Sequence, residues 1–329
     1  TKWATPLSKA EVTMDAGAYQ VVTDPSVYTK FKLVGEDAYV LAWTTTPWTL
    51  PANTALAVNG AFHYVEVILD GAHYIVAKDL AEKVFTDEKH QPLDYEVVRT
   101  FKGDSLIGKK YEPLFEDRGE NAHVIWDAEY VTTESGTGIV HIAPAYGEED
   151  FLLAKEVGIP VVHVLDEYGV YTEGDWVGEN VWTINKTIAK TLYERGVVWK
   201  IDYIQHEYPH NPRTGNRLMY RAHPSWFMDI DGQRTEMLEE NTSNVNWFPE
   251  HIKHGRFEKT IETAPDWNLS RDRFWATAMP VWKGTDSEGK EHIRVIGGYA
   301  ELAELSGVEL DDYHRPWVDD ITFDIDGVH

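Results

Sequence analysis

Tyr39-Val-Leu-Ala-Trp-Thr-Thr-Thr-Pro-Trp-Thr-Leu-Pro51 is the stretch on which the fold turns. Its first five residues are aromatic, β-branched or apolar, the composition of a strand. Two prolines then remove backbone donors and forbid continuation as a ladder. A strand therefore ends in three consecutive hydroxyls. Side chains leaving a strand fan to alternate sides, so one short run of backbone can grip several atoms of a ligand. Hydroxyls can also orient a water without carrying charge. A blander account fits the same letters: threonine is a good strand residue, and the prolines stop the strand.

Upstream, Val27, Thr29, Phe31 and Leu33 alternate with Tyr28, Lys30 and Lys32, a period of two. Downstream, 64–69, 74–76 and 95–98 are rich in β-branched and aromatic residues and bounded by Gly, Pro, Asn or Asp. Many short strands with turn signals between them predict an α+β fold, mainly β, built as a barrel-like or closed sheet. Helices are expected at 148–157, with acids in the first turn and Gly158 and Pro160 past the end, and at 183–195, stopped by Gly196. Beyond about residue 203 the texture changes. A hairpin, 206–209 with 217–221, surrounds a turn at 212–215, and helices are expected at 232–241, 254–263 and 299–305.

The 329 residues suffice for one large domain or two ordinary ones, and no apolar run approaches the roughly 20 residues of a membrane helix. The absence of cysteine excludes disulfides and thiolate metal sites and fits a cytoplasmic protein. The start lacks both an initiator Met and a basic leader with an apolar core, so a piece of a longer chain is expected rather than a secreted one. A formal charge of −25 argues against a general nucleic-acid coat. Residues 205–275 hold nine Lys and Arg against eleven Asp and Glu, so any RNA contact belongs there first.

Two further constellations carry possible chemistry. Gly136-Thr-Gly-Ile-Val-His-Ile-Ala-Pro144 is followed by Gly147-Glu-Glu-Asp150. Its glycines permit positive φ and close approach, His141 faces away from Val140 and Ile142, and Asp150 sits in a first helical turn. A structural histidine and an acid complementing the helix dipole explain the same residues. Asp266-Trp-Asn-Leu-Ser-Arg-Asp-Arg-Phe-Trp275, ending in Met279-Pro-Val-Trp282, mixes basic and aromatic residues in a way that suits a phosphate, or simply a solvated helix. No Gly-x-Ser-x-Gly elbow, P-loop or His-Glu-x-x-His occurs, and His206, His210, His251 and His254 lack a supporting metal motif.

Taken in order, these segments resemble the editing insertion, or connective polypeptide, of isoleucyl-tRNA synthetases. Thr44–Asn53 is similar to the family's threonine-rich peptide and Gly136–Asp150 to its second editing motif. Tyr220-Arg-Ala-His-Pro-Ser-Trp-Phe227, 266–282 and Leu305-Ser-Gly with His314-Arg-Pro-Trp-Val-Asp-Asp320 resemble later segments. The likeness runs from about residue 5 to 323. Valyl and leucyl relatives typically carry Arg where Thr46 stands. The ATP signatures of the family are absent from this sequence. Asn211 and Thr214 stand where many relatives have a Cys pair, which removes a zinc site, and Ala145-Tyr146 replaces a common bacterial Gly-His, as in the eukaryote-like branch.

The resemblance implies hydrolysis of mischarged valyl-tRNA(Ile) without metal or cofactor. Asp150 would hold the α-ammonium of the misattached amino acid, and Thr44, Thr45 and Thr46 its backbone and the attacking water. Trp48 and His141 would shape the side-chain pocket, His141 excluding isoleucine, and Asn53 would bond substrate or position the threonine loop. Implied partners are the acceptor end of tRNA(Ile) carrying valine and the rest of a monomeric synthetase, with no membrane. The implied division is 1–30 leading in from the catalytic domain, 31–203 editing, and 204–329 returning. A tRNA-docking module with a decayed site is the alternative. A carbohydrate-binding or carbohydrate-cleaving protein is suggested by the 13 Trp, 17 Tyr and many acids, but no two acids stand out as a pair.

Overall fold

In a computed structural model of the chain, the structure describes residues 7, 12, 18–212, 214–270 and 279–329. They divide into two compact units, 1–224 and 225–329.

The first unit is built on two sheets, and strand outweighs helix in it. Strands β1 (Tyr19–Lys32), β2 (Tyr39–Thr44), β4 (His63–Leu69), β5 (Ala72–Ala77), β6 (Glu96–Lys102) and β9 (Val198–Pro209) form one sheet in the order β6-β4-β5-β2-β1-β9. A second, of order β7-β3-β8, joins β3 (Ala55–Val58), β7 (Val124–Asp127) and β8 (Val140–Ile142). The period of two predicted for β1 is observed: Val27, Thr29, Phe31 and Leu33 are buried, while Tyr28, Lys30 and Lys32 are half-buried. Its reach is longer than the alternation suggested. Residues 19–26 also pair, antiparallel to β9, despite Pro25.

The closed, barrel-like sheet expected from the sequence is not formed. Among the described residues β6 and β9 are the edges of the larger sheet, and the two sheets are linked through residues 110–111 by isolated bridges, Leu33 to Tyr111 and Lys110 to Val124. Counting short strands cannot distinguish these outcomes, because closure depends on register and tilt between distant strands.

Helices α1 (Glu148–Val157) and α2 (Val181–Glu194) flank the sheets. The α1 boundaries are those read from sequence, and Gly158 ends the helix at φ +75, where a residue without Cβ is unstrained. Helix α2 starts two residues earlier than expected because the Asn180 side chain accepts from Trp182 N as its cap. The main core runs between the large sheet, α2 and the turn after β2, and a smaller one lies between the β7-β3-β8 sheet and α1.

The second unit holds the short pair β10 (Phe227–Met228) with β11 (Trp267–Asn268), the hairpin β12 (Val281–Thr285) with β13 (Glu291–Val295), and helices α3 (Arg234–Ser243), α4 (Glu258–Thr263) and α5 (Tyr299–Ser306). The single helix expected at 254–263 is broken: Gly255 at φ −99, ψ −124 divides it, and regular helix begins only at Glu258. In the first unit, the expected hairpin near 212 is short: His210 bridges Arg217, flanked by backbone bonds from Leu218 N to Pro209 O and from Asn211 N to Asn216 O.

Candidate functional site

Strand β2 ends at Thr44. From Pro47 to Ala52 the chain winds into a short, wholly buried 3-10 helix, with Pro47 at its first turn where a missing N–H costs nothing. This tight turn folds the hydroxyls back on one another. Thr46 N donates to Thr44 Oγ1 at 3.1 Å, the two hydroxyl oxygens lie 3.1 Å apart, and Thr46 Oγ1 lies 3.3 Å from Thr49 Oγ1. Thr49 Oγ1 donates to Thr46 O at 2.9 Å. Thr45 is half-buried.

The cluster continues into the smaller sheet. His141, on β8, pairs with Leu56, while Ile142 and Val140 pair with Ala55 and Ala57 and pack with them in the smaller core. His141 therefore faces away from its apolar neighbours, as alternation predicts, and toward the threonines. Its Nε2 lies 3.0 Å from Thr49 Oγ1 and its Nδ1 2.8 Å from Asn53 Nδ2. Asn53 Nδ2 also donates to Ala55 O at 2.9 Å, and Tyr111 OH donates to Asn53 Oδ1 at 2.7 Å. Burial of the ring pulls the His141 pKa down to about 3, so it is neutral near pH 7.

Trp48, in the same turn, is buried. It meets Tyr146 and Trp182 edge-to-face, at 5.6 and 5.7 Å, and its carbonyl accepts from Tyr171 OH at 2.8 Å. Tyr146 OH in turn accepts from Val164 N and Leu165 N, both at 2.9 Å.

Asp150 belongs to α1 but is tied to the strand before it. Its Oδ2 accepts from Ala143 N at 2.8 Å, which sets the carboxylate two residues along the backbone from His141. Burial pushes its pKa up to about 6, the Ala143 N–H opposing and Glu149 adding to the rise. Among the described residues no cation pairs with it. A desolvated carboxylate without a counter-charge is costly to hold and suits a site that receives a cation.

Both glycines of the second motif have the geometry expected. Gly138, at φ +71, sits where a Cβ would fall 2.3 Å from that of Ala77, and Gly136, at φ +74, lies against Trp43. Thr44, Thr46, Asn53 and His141 thus belong, through Thr49, to one hydrogen-bonded group, Asp150 is held by the backbone two residues from His141, and Trp48 is buried in the turn that carries the threonines. Two members were not singled out from sequence. Thr49 could have been, as it lies three residues past Thr46 at a turn. Tyr111 could not, being 58 residues from Asn53 with no motif around it. Of the third constellation, Asp266 Oδ1 accepts from Ile230 N and Asp231 N, a loop-organising role, while 271–278 lie outside the described residues. Among the described residues no group of three His, Asp or Glu could hold a metal.

Comparison with known proteins places residues 1–322 under a family model described as tRNA synthetases class I (I, L, M and V). The isoleucine–tRNA ligase of Bdellovibrio bacteriovorus is 41% identical over 97% of this chain, and that of Picrophilus torridus 39% identical over 96%. The chain spans only 30% of the length of each. The Plasmodium falciparum cytosolic leucyl-tRNA synthetase editing domain overlays 54% of this chain and 99% of its own, at 9% identity and a TM-score of 0.46.

Proposed function

We propose, from the premise that this chain belongs to the class I tRNA synthetases, that its first unit hydrolyses the ester bond of mischarged valyl-tRNA(Ile). The observation that carries this reading is the continuous hydrogen-bonded group of Thr44, Thr46, Thr49, His141 and Asn53, with the Asp150 carboxylate, which has no cation partner among the described residues, anchored two residues from His141. The need for such an activity is physical. One methylene in a hydrophobic pocket is worth about 1–3 kcal/mol, a range whose reference case is isoleucine against valine and which does not come from this structure. A second site that destroys valyl product supplies the missing discrimination.

In this reading Asp150, ionised at neutral pH, holds the α-ammonium by a charge-assisted hydrogen bond. Thr44, Thr45 and Thr46 receive the substrate backbone and the attacking water. Trp48 and the neutral His141 wall the side-chain pocket, and their fixed positions limit it to valine. Asn53 holds His141 and the threonine turn rather than substrate, since its amide is spent on Ala55, His141 and Tyr111. An aminoacyl ester is already labile, so positioning supplies the rate, with a ribose hydroxyl of the terminal adenosine assisting the water. No metal or cofactor takes part. Residues 1–30 lead in from a catalytic body, 31–203 edit and 204–329 return toward it. The partners are the acceptor end of tRNA(Ile) and the rest of a monomeric, cytoplasmic synthetase.

Deacylation of valyl-tRNA(Ile) by this chain and by its Asp150→Ala variant tests the proposal. The chain should release valine, and the variant should lose at least about a hundredfold in kcat/KM with an unchanged circular dichroism spectrum. Near-normal cleavage by the variant contradicts the assignment of Asp150. No cleavage by the parent chain favours a docking module.

A further inference from the structure

The hydrogen-bonded group has only one assignment of protons that makes every one of its contacts a bond, and it begins at a backbone carbonyl. Ala55 O can only accept, so the Asn53 group 2.9 Å away must be the amide nitrogen. The other side of that amide, Oδ1, then accepts from Tyr111 OH. The second N–H of Asn53 is directed at His141 Nδ1, 2.8 Å away, which must therefore present a lone pair. In a neutral ring the proton then resides on Nε2 and is donated to Thr49 Oγ1 at 3.0 Å.

The consequence propagates outward. Thr49 cannot give its own proton to His141, so it gives it to Thr46 O at 2.9 Å, another group that only accepts. The contact of 3.3 Å between Thr46 and Thr49 is then a bond only if Thr46 is the donor. With its proton spent there, Thr46 Oγ1 is an acceptor in the contact of 3.1 Å with Thr44, which must donate. Thr44 Oγ1 also takes the Thr46 N–H on one lone pair. Both hydroxyl protons are now used inside the protein, and each oxygen retains one lone pair.

We infer that Thr49 is a positioning residue that, with Asn53 and Tyr111 behind His141, fixes this ring as the Nε2–H tautomer and leaves Thr44 and Thr46 able to accept hydrogen bonds but not to donate them. Given the hydrolytic reading above, on which this second clause rests, the two threonines hold the protons of the attacking water and so turn its lone pair toward the ester carbon. They do not donate to the ester carbonyl, whose developing negative charge must be met by N–H groups or by substrate. Thr49 touches neither water nor ester and acts through Thr46 and His141.

The test has two readouts. Nitrogen NMR of the histidine-labelled chain should show His141 with a protonated Nε2 and a bare Nδ1. A protonated Nδ1 overturns the inference whatever the chain hydrolyses. Steady-state deacylation of valyl-tRNA(Ile) by Thr49→Val should show kcat reduced about tenfold, the worth of one misdirected hydrogen bond, with KM little changed and Thr49→Ser restoring the rate. An unchanged kcat in a folded Thr49→Val, or a Thr49→Ser as impaired as Thr49→Val, overturns the positioning role. If the parent chain has the Nε2–H tautomer yet hydrolyses nothing, the hydrolytic reading fails while the proton assignment stands.

Discussion

At the scale of single residues, the site is held at a cost that can be measured. Asp150 has a pKa of about 6 in the folded chain against an ordinary 3.8. An acid whose pKa is raised by folding steadies the fold while it is protonated. That contribution is complete below about pH 4 and is lost as pH climbs through about 6. At neutral pH the ionised Asp150 therefore opposes folding by up to about 3 kcal/mol. Asp150→Asn should raise the midpoint of chemical denaturation at pH 7 and flatten the pH dependence of stability between about 4 and 6, while abolishing deacylation. A variant less stable than the parent at pH 7 refutes the account of this charge. His141 has the opposite sign. Its pKa falls to about 3, so its neutral form stabilises the fold fully above its unfolded value of 6.5, and that contribution is lost as pH falls toward 3. On the proposal that His141 walls the side-chain pocket, His141→Ala should make isoleucyl-tRNA(Ile) a substrate. Continued protection of the cognate ester, measured by release of labelled isoleucine, would remove His141 from that role.

At the scale of elements, the site depends on three backbone devices. The 3-10 turn after β2 stacks three hydroxyls, the β7-β3-β8 sheet presents His141, and the glycine turn at 136–138 lets that sheet meet β5. The last is the tightest. Thr137 O accepts from Ala77 N, Gly138 O accepts from Tyr64 OH, and a Cβ at 138 would overlap Ala77. Gly138→Ala should cost about 2–4 kcal/mol by denaturant titration, from positive φ combined with overpacking; a loss under about 0.5 kcal/mol would show that the turn yields. These devices differ in how far they could be read in advance. The strand, the prolines and the glycines are local signals, as are the acids and Gly158 that bound α1. The α1 bounds were therefore legible, and so was the alternation that points His141 away from Ile142. Tyr111 was not legible, because it reaches Asn53 through a bridge between strands whose pairing no local pattern records. Sheet closure failed for the same reason. Gly255 gave a visible signal that was outweighed by the periodicity around it.

At the scale of the whole molecule, the two units have different characters. Among the described residues the first contains the main core, the smaller one beside α1 and the entire hydrogen-bonded group, whereas the second keeps one small cluster of Ile296, Leu302, Val318 and Ile321. On the proposed reading, this chain, which spans 30% of the length of its relatives, should hydrolyse an aminoacyl ester without making one. Supplied with isoleucine, ATP and tRNA(Ile), it should show no charging, and measurable turnover would contradict this division of labour. The central claim is that Thr46 and Asp150 serve one aminoacyl group. The most direct measurement is a crystal structure of this chain soaked with a non-hydrolysable valyl-adenosine. The account predicts its amine on the Asp150 carboxylate, its side chain between Trp48 and His141, and its carbonyl carbon beside Thr46. Density that binds remote from Asp150, or a Thr46 and an Asp150 opening onto separate surfaces, would contradict it.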